Sequence, residues 1–220
     1  ILLAEDGYAN QKLAVGILTK WGHTVSVANN GRDAVDTYER EPYDVVLMDV
    51  QMPEMDGFQA TAIIRAKETH NGSHIPIIAM TAHAMKGDRE ECLAAGMDDY
   101  VTKPIRWPEL RQALARVVVA EAPASLAASA PIEAKVGILD WDEALKAVNG
   151  DSKLLQQVLG ALIQEFSTLL NDLDKSIVAC DAITLRRVAH TLNGNLRLFG
   201  KTVAGDIAQR LEKLGASGLC

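Results

Sequence analysis

A doubly wound α/β domain followed by an all-α helical bundle is the architecture predicted for this chain of 220 residues. Three observations predict it. Through residues 1–120, short and continuously apolar runs alternate with stretches of helical period. Residues 121–137 break that pattern with an Ala-, Ser- and Pro-rich segment. From residue 138 onward the period is helical throughout, with no strand signal.

The apolar runs place strands at Leu2 to Ala4, Thr24 to Ala28, Asp44 to Met48, Pro76 to Met80 and Tyr100 to Val101. Val45-Val46-Leu47-Met48 and Ile77-Ile78-Ala79-Met80 show no polar alternation. Strands covered on both faces of a parallel sheet read this way. Helical stretches fall near 9–21, 31–40, 57–68, 86–95 and 107–120, with Pro108 at the opening of the fifth. Five such βα units predict a five-stranded parallel sheet wound on both faces. The segment 121–137 reads as a linker, and its first 15 or so residues, Glu121 to Lys135, could reach about 50 Å if extended. In the bundle, Asp140-Trp141-Asp142 opens a short helix that ends at Asn149-Gly150. Longer helices cover about 151–179, 181–199 and 201–214. Short loops between them make antiparallel neighbours.

Composition narrows the function. The net charge of −7 argues against non-specific nucleic-acid binding, which needs a cationic face. No window of about 18 residues is unbroken and apolar, so no membrane contact is expected of this segment. Cys92, Cys180 and Cys220 are scattered and odd in number. They form neither a disulfide framework nor a zinc site, and they suit a reducing cytoplasm. The chain opens on Ile-Leu-Leu and reads as a piece of a longer protein.

In an open parallel sheet, ligands bind beyond the carboxyl ends of the strands. There the sequence puts Glu5-Asp6 after the first strand, Asp49 after the third, Thr81 after the fourth and Lys103-Pro104 after the fifth. Three carboxylates at one edge repel each other, so at least one should hold its proton unless a cation intervenes. Mg²⁺, which favours carboxylate oxygens and water, answers that need. A carboxylate, Mg²⁺, a lysine and a hydroxyl around one point suit phosphoryl transfer, with Asp49 attacking the donor to form an acyl phosphate. A flavin site would want a hydroxyl- or glycine-rich phosphate loop where this chain has Glu-Asp-Gly-Tyr. A phosphatase of the haloacid-dehalogenase type would want a second Asp at position 51, which is Gln.

The run Asp49-Val-Gln-Met-Pro-Glu-Met-Asp-Gly57 resembles the phosphoacceptor loop of response-regulator receiver domains. Glu5-Asp6, Met80-Thr81-Ala82-His83-Ala84-Met85 and Asp98-Asp99-Tyr100-Val101-Thr102-Lys103-Pro104 match the family's other motifs in order and spacing. The wording resembles the receivers carried by hybrid sensor histidine kinases in particular. The resemblance implies a flavodoxin-like sheet in residues 1–120. It implies phosphorylation of Asp49 and Mg²⁺ bound by Asp6, Asp49 and the backbone carbonyl of Gln51, with Glu5 acting through water. Thr81 would contact the phosphoryl group, Lys103 would pair with it, and Tyr100 would follow it as the switch aromatic. Gln51 and His83 hold positions that tune acyl-phosphate lifetime in the family. Gly7 stands where many relatives have Asn or Asp.

In the bundle, winding 181–199 as a helix puts Leu185, Val188, Ala189, Leu192, Leu196 and Phe199 on one face. His190 falls nearly opposite, with Gly194 one turn on and Arg186, Arg187 and Arg197 flanking. That predicts an exposed histidine, beside a glycine that lets a partner approach. Ala189-His190-Thr191-Leu192-Asn193-Gly194, with Gly200 ten residues after the histidine, resembles the motif of histidine phosphotransfer domains. Asn193 replaces the family's Lys, and Arg197 is a candidate to compensate. The family's bundle has one more helix, so residues 138–220 read as a phosphotransfer domain lacking its last helix.

Together the resemblances imply a two-component phosphorelay. Asp49 takes a phosphoryl group from a kinase phospho-His and passes it to His190, for onward transfer to a downstream response regulator. The partners implied are a sensor histidine kinase core in the same parent chain and that regulator's receiver. The kinase chemistry itself lies outside this chain. The alternative is a regulatory protein-binding module whose phosphotransfer domain is degenerate at Asn193. His23, His70 and His74 have no supporting constellation in the sequence.

Overall fold

The structure, a computed structural model, describes residues 1–81, 86–103, 105–118 and 139–218. The linker 121–137, His83, Pro104 and Cys220 lie outside the described residues. Strands β1 (Leu2–Ala4), β2 (Ser26–Ala28), β3 (Val46–Asp49), β4 (Ile77–Thr81) and β5 (Asp99–Thr102) alternate with helices α1 (Tyr8–Lys20), α2 (Gly31–Arg40), α3 (Gly57–Asn71), α4 (Lys86–Ala94) and α5 (Trp107–Val118). All strand pairs are parallel, in the order β2-β1-β3-β4-β5.

Alternation along each strand divides two cores. Leu3, Leu47, Ile78 and Met80 face α1 and α5 with Leu13, Ile17 and Leu110. Leu2, Val46, Met48, Ile77 and Ala79 face the other side with Ala34 and Ile64. Both strand faces are dry, which explains the unbroken apolar runs.

The remainder is helical: α6 (Trp141–Ala147), α7 (Ser152–Val178), α8 (Ala182–Leu196), a 3₁₀ turn at Arg197–Phe199 and α9 (Val203–Ala216). Each of the four α-helices starts on a side-chain cap: Asp140 accepts from Glu143 N, Asp151 from Leu154 N, Asp181 from Thr184 N and Thr202 from Gly205 N. The turn after α6 uses Asn149 and Gly150, both left-handed at φ 54° and 78°.

The bundle packs on α1 and α5 of the sheet domain. The core that begins at Leu3 and Leu110 continues without a break through Val148, Leu154, Val158, Leu162, Leu198 and Phe199. Gly16 lies at the seam, where a Cβ would stand 2.4 Å from Leu154 Cδ1 and the leucine would have to shift. The seam is pinned by an ion pair from Lys20 to Asp151 and by the Trp107 indole donating to the Ala147 carbonyl.

Candidate functional site at the seam of the two domains

With this strand order, the crevice lies where the connections diverge, beyond β1 and β3. Glu5 and Asp6 leave β1 there, and Asp49 is the last residue of β3. The following loop is held tightly. Val50 N donates to Met80 O, Gly57 N donates to Val50 O, and Asp56 caps α3 in a capping box with Gln59. A Cβ on Gly57 would come 2.2 Å from the Asp49 carbonyl, so only glycine lets the loop close over its own start.

Carboxylate oxygens of Glu5, Asp6 and Asp49 come within 4.8 Å of one another. Asp49 is 1% exposed, and Lys103 is 6% exposed. Lys103 Nζ lies 2.5 Å from Asp49 Oδ2 and 2.7 Å from Glu5 Oε2. Glu5 Oε1 accepts from Gly7 N and from Asn10 Nδ2, and Asp49 Oδ1 accepts from Gln51 N. One ammonium cannot balance three carboxylates. Burial, with Glu5 and Asp6 adding to it against Lys103, pushes Asp49 up to about 7. Burial and the Glu5 charge push Asp6 up to about 6. Lys103 is disfavoured by burial, yet Asp49 and Glu5 outweigh that and hold its proton firmly. Hard oxygen donors with a surplus of negative charge are the donor set that Mg²⁺ takes.

Thr81 ends β4 and lines the same cleft. Tyr100 is half-buried in β5, with the Arg89 guanidinium 6.0 Å from its ring.

The cleft has a volume of about 650 Å³ and two walls. Asp6, Gln51 and Thr81 form one, and Arg186, Arg187, His190 and Thr191 of α8 form the other. The charge of Arg187 on this wall reaches Asp6. The expectation of an exposed His190 is corrected: it is 6% exposed. Its place opposite the apolar face of α8 is as expected, but the sheet domain and α9 cover that side. Gly194 does face the sheet domain, where a Cβ would meet Asn10 Nδ2 at an ordinary 3.8 Å.

His190 Nδ1 lies 2.7 Å from Glu212 Oε1. A carboxylate only accepts, so Nδ1 carries a proton, and in the neutral ring it is Nε2 that holds the lone pair. Asn193 donates from Nδ2 to Glu212 Oε2 and accepts from Arg197 Nε. Arg197 also donates from Nη1 to the Lys103 carbonyl. Asn193 and Arg197 therefore belong to a network behind the imidazole. Glu212 escaped the sequence reading; its signal is a carboxylate on the buried stripe Ala208, Glu212, Gly215 of α9. His74 also gains partners invisible in sequence, with Nε2 2.7 Å from Asp98 Oδ1.

A parallel sheet with an acidic, lysine-paired edge, facing a helix-borne histidine, defines a receiver joined to a histidine phosphotransfer bundle. The response regulator receiver domain family matches residues 1–115, and the Hpt domain family matches residues 157–219. The chain belongs to the receiver family, with an Hpt domain after the receiver, an arrangement of two-component phosphorelay signalling. It is 33% identical over 219 residues to sensor histidine kinase GacS of Pseudomonas protegens, covering 97% of this chain and 24% of that protein. It is 30% identical over 222 residues to the signal transduction histidine-protein kinase BarA of Escherichia coli, covering 99% of this chain and 24% of that one. The chain thus spans about a quarter of these relatives' length. Among solved structures, the receiver domain of sensor histidine kinase PA1611 from Pseudomonas aeruginosa is 46% identical, at a TM-score of 0.49 over 53% of this chain and 94% of that one. That receiver was crystallised with a magnesium ion coordinated in its active-site cleft. Among the described residues here, no helix is long and apolar enough to cross a membrane.

Proposed function

We propose that this chain is the relay segment of a hybrid histidine kinase, in which Asp49 accepts a phosphoryl group and hands it to His190. Its parts are a receiver of residues 1–120, a linker of 121–137 and a phosphotransfer domain of 138–220. One observation supports the reading: Asp6 and Gln51, which flank the buried Asp49 in the acidic site, line the same cleft as the His190 imidazole.

Glu5, Asp6 and Asp49 would hold Mg²⁺, with the backbone carbonyl of Gln51. Bound there, the ion neutralises negative charge on the phosphoryl oxygens. Lys103 supplies a second positive charge beside Asp49, and Thr81 supplies a hydroxyl at the mouth of the cleft. Tyr100 follows Thr81 as the switch aromatic.

In the first half of the relay, an Asp49 oxygen attacks the phosphorus of a kinase phospho-His. The N–P bond breaks, and an acyl phosphate forms. In the second half, the lone pair of His190 Nε2 attacks that phosphorus. The new N–P bond forms as the bond to the Asp49 oxygen breaks, and the carboxylate leaves towards Lys103. Glu212 keeps the Nδ1 proton and stabilises the positive ring that develops. Holding the acidic site and His190 at one cleft would spare the encounter step, the positioning on which phosphoryl transfer depends.

The donor is a kinase core in the same parent chain, and the final acceptor is the receiver of a separate response regulator. The segment works in the cytoplasm, with neither membrane nor nucleic acid as a direct partner. Labelled phosphate tests the scheme. Wild type should carry acyl phosphate on Asp49 and an acid-labile, base-stable label on His190. His190→Gln should keep only the first, and Asp49→Asn should carry neither. A label confined to Asp49 in wild type would favour the protein-binding alternative over the relay.

A further inference from the structure

Helix α1 of the receiver begins without a cap of its own. Its N-cap is Gly7, which makes no side-chain hydrogen bond, and no acidic residue stands in the first turn. Such a start leaves amide donors unsatisfied and presents the positive end of the helix dipole. Yet Tyr8 N and Ala9 N are satisfied here. They donate to Glu165 Oε1 and Oε2, at 3.2 and 3.3 Å, from the middle of α7 in the other domain. The same carboxylate accepts from Asn195 Nδ2 at 3.2 Å, which holds it against α8.

We propose, building on the relay reading, that Glu165 is the residue by which the phosphotransfer bundle selects its receiver. Its carboxylate stands in for the cap that Gly7 cannot provide, and so registers α1 against α7. The backbone at Gly7, at φ −78° and ψ 115°, is open to any residue. Backbone conformation therefore does not require glycine there, although a Cβ would stand 3.0 Å from Glu5 Oε1 and from Asn10 Nδ2, so those side chains must give by a few tenths of an ångström. An Asp or Asn at position 7 would accept from the amides of Ala9 or Asn10 itself. A receiver so capped no longer offers Ala9 N to Glu165, and an Asp would set a second carboxylate against it. Glu165 thus favours a receiver with a bare α1 terminus and disfavours one that caps itself. Specificity built on a donor left unpaired in the wrong partner is steep. The contact lies one turn of chain from Glu5 and Asp6, so its register also sets where α8 brings His190.

The test uses the whole chain, with amide hydrogen exchange at Tyr8 and Ala9 and single-turnover transfer from preloaded Asp49 to His190. Glu165→Ala should lose protection at both amides and slow transfer about tenfold, the scale set by losing hydrogen bonds to a charged group. Glu165→Gln, which keeps an acceptor oxygen, should recover part of both. The decisive variant is Gly7→Asp with Glu165 intact: α1 stays protected, but transfer slows. Combining Gly7→Asp with Glu165→Ala should restore protection without restoring transfer, which separates selection from helix stability. Wild-type transfer rates in Glu165→Ala, or in Gly7→Asp, would overturn the proposal. If wild type never labels His190, the relay reading fails. Exchange at Tyr8 and Ala9 then decides alone: loss of protection in Glu165→Ala upholds the docking role, and unchanged protection overturns it.

Discussion

Magnesium binding should be strongly pH-dependent between about pH 6 and pH 8, because the carboxylates that would hold the ion are reluctant to ionise. Asp49 sits at about 7, through burial and the charges of Glu5 and Asp6, and Asp6 sits at about 6. A raised carboxylate pKa means that a proton stays bound until the pH passes the raised value, so the metal must displace protons below it. Treated as independent sites, both groups are ionised in about 90% of molecules at pH 8 and in about 5% at pH 6. The apparent Kd for Mg²⁺ should therefore rise about 20-fold over those two units. About 1.4 protons should be released per ion at pH 6, and about 0.1 at pH 8. Titration calorimetry in buffers of different ionisation heat measures both quantities on one sample. An affinity constant within twofold across the range, with no proton release at pH 6, would refute the electrostatic description of the site.

Other perturbations probe separate parts. Asp49→Asn removes a buried charge whose folded pKa exceeds its unfolded value. The native carboxylate costs stability that grows as pH rises from about 4 to about 7, up to about 4 kcal/mol by the shift alone. The variant should therefore gain more stability at pH 8 than at pH 5 in metal-free denaturant melts, less what Lys103 loses as a partner; the opposite pH trend would count against the account. Glu212→Ala strips the partner from His190 Nδ1 and from Asn193 Nδ2, both buried. It should cost about 1–3 kcal/mol in thermal unfolding and mix the imidazole tautomers in nitrogen NMR spectra; a ring that stays protonated on Nδ1 would remove Glu212 from its role. Gly16→Leu drives a side chain into Leu154 across the seam. Small-angle scattering should show a larger radius of gyration, and diethylpyrocarbonate should modify His190 faster; unchanged values would mean that the seam tolerates the bulk.

Much of this was readable in the residues, for reasons of geometry. Strand periodicity and strand-end chemistry depend on nearby sequence, so Glu5, Asp6, Asp49, Thr81 and Lys103 could be brought to one edge without coordinates. The strand ends differ in a telling way. β3 runs to Asp49 and β4 to Thr81, each a residue past the apolar run. Backbone pairing there, as in Asp49 with Met80 and Thr81 with Thr102, does not depend on side-chain polarity. β2 instead starts at Ser26, two residues later than expected, at the sheet's edge. The seam was not readable. Glu165 and Glu212 lie 156 and 22 residues from the groups they hold, and no period links them. His190 reads as exposed because a helical wheel sees one helix, and its cover comes from the receiver and α9. Arg197, expected beside the phosphoryl site, instead spans Asn193 and the Lys103 carbonyl, a target that exists only once the domains dock.

The central claim is that Asp49 hands its phosphoryl group to His190 of the same chain across the seam of the two domains. Its most direct test is the concentration dependence of transfer after Asp49 is loaded from a small phosphoryl donor. A rate of label arrival at His190 that stays constant over a hundredfold range of chain concentration is the predicted result. Mixed His190→Gln and Asp49→Asn chains should transfer more slowly, and in proportion to concentration. A wild-type rate that scales with concentration, equal to that of the mixture, would contradict the claim.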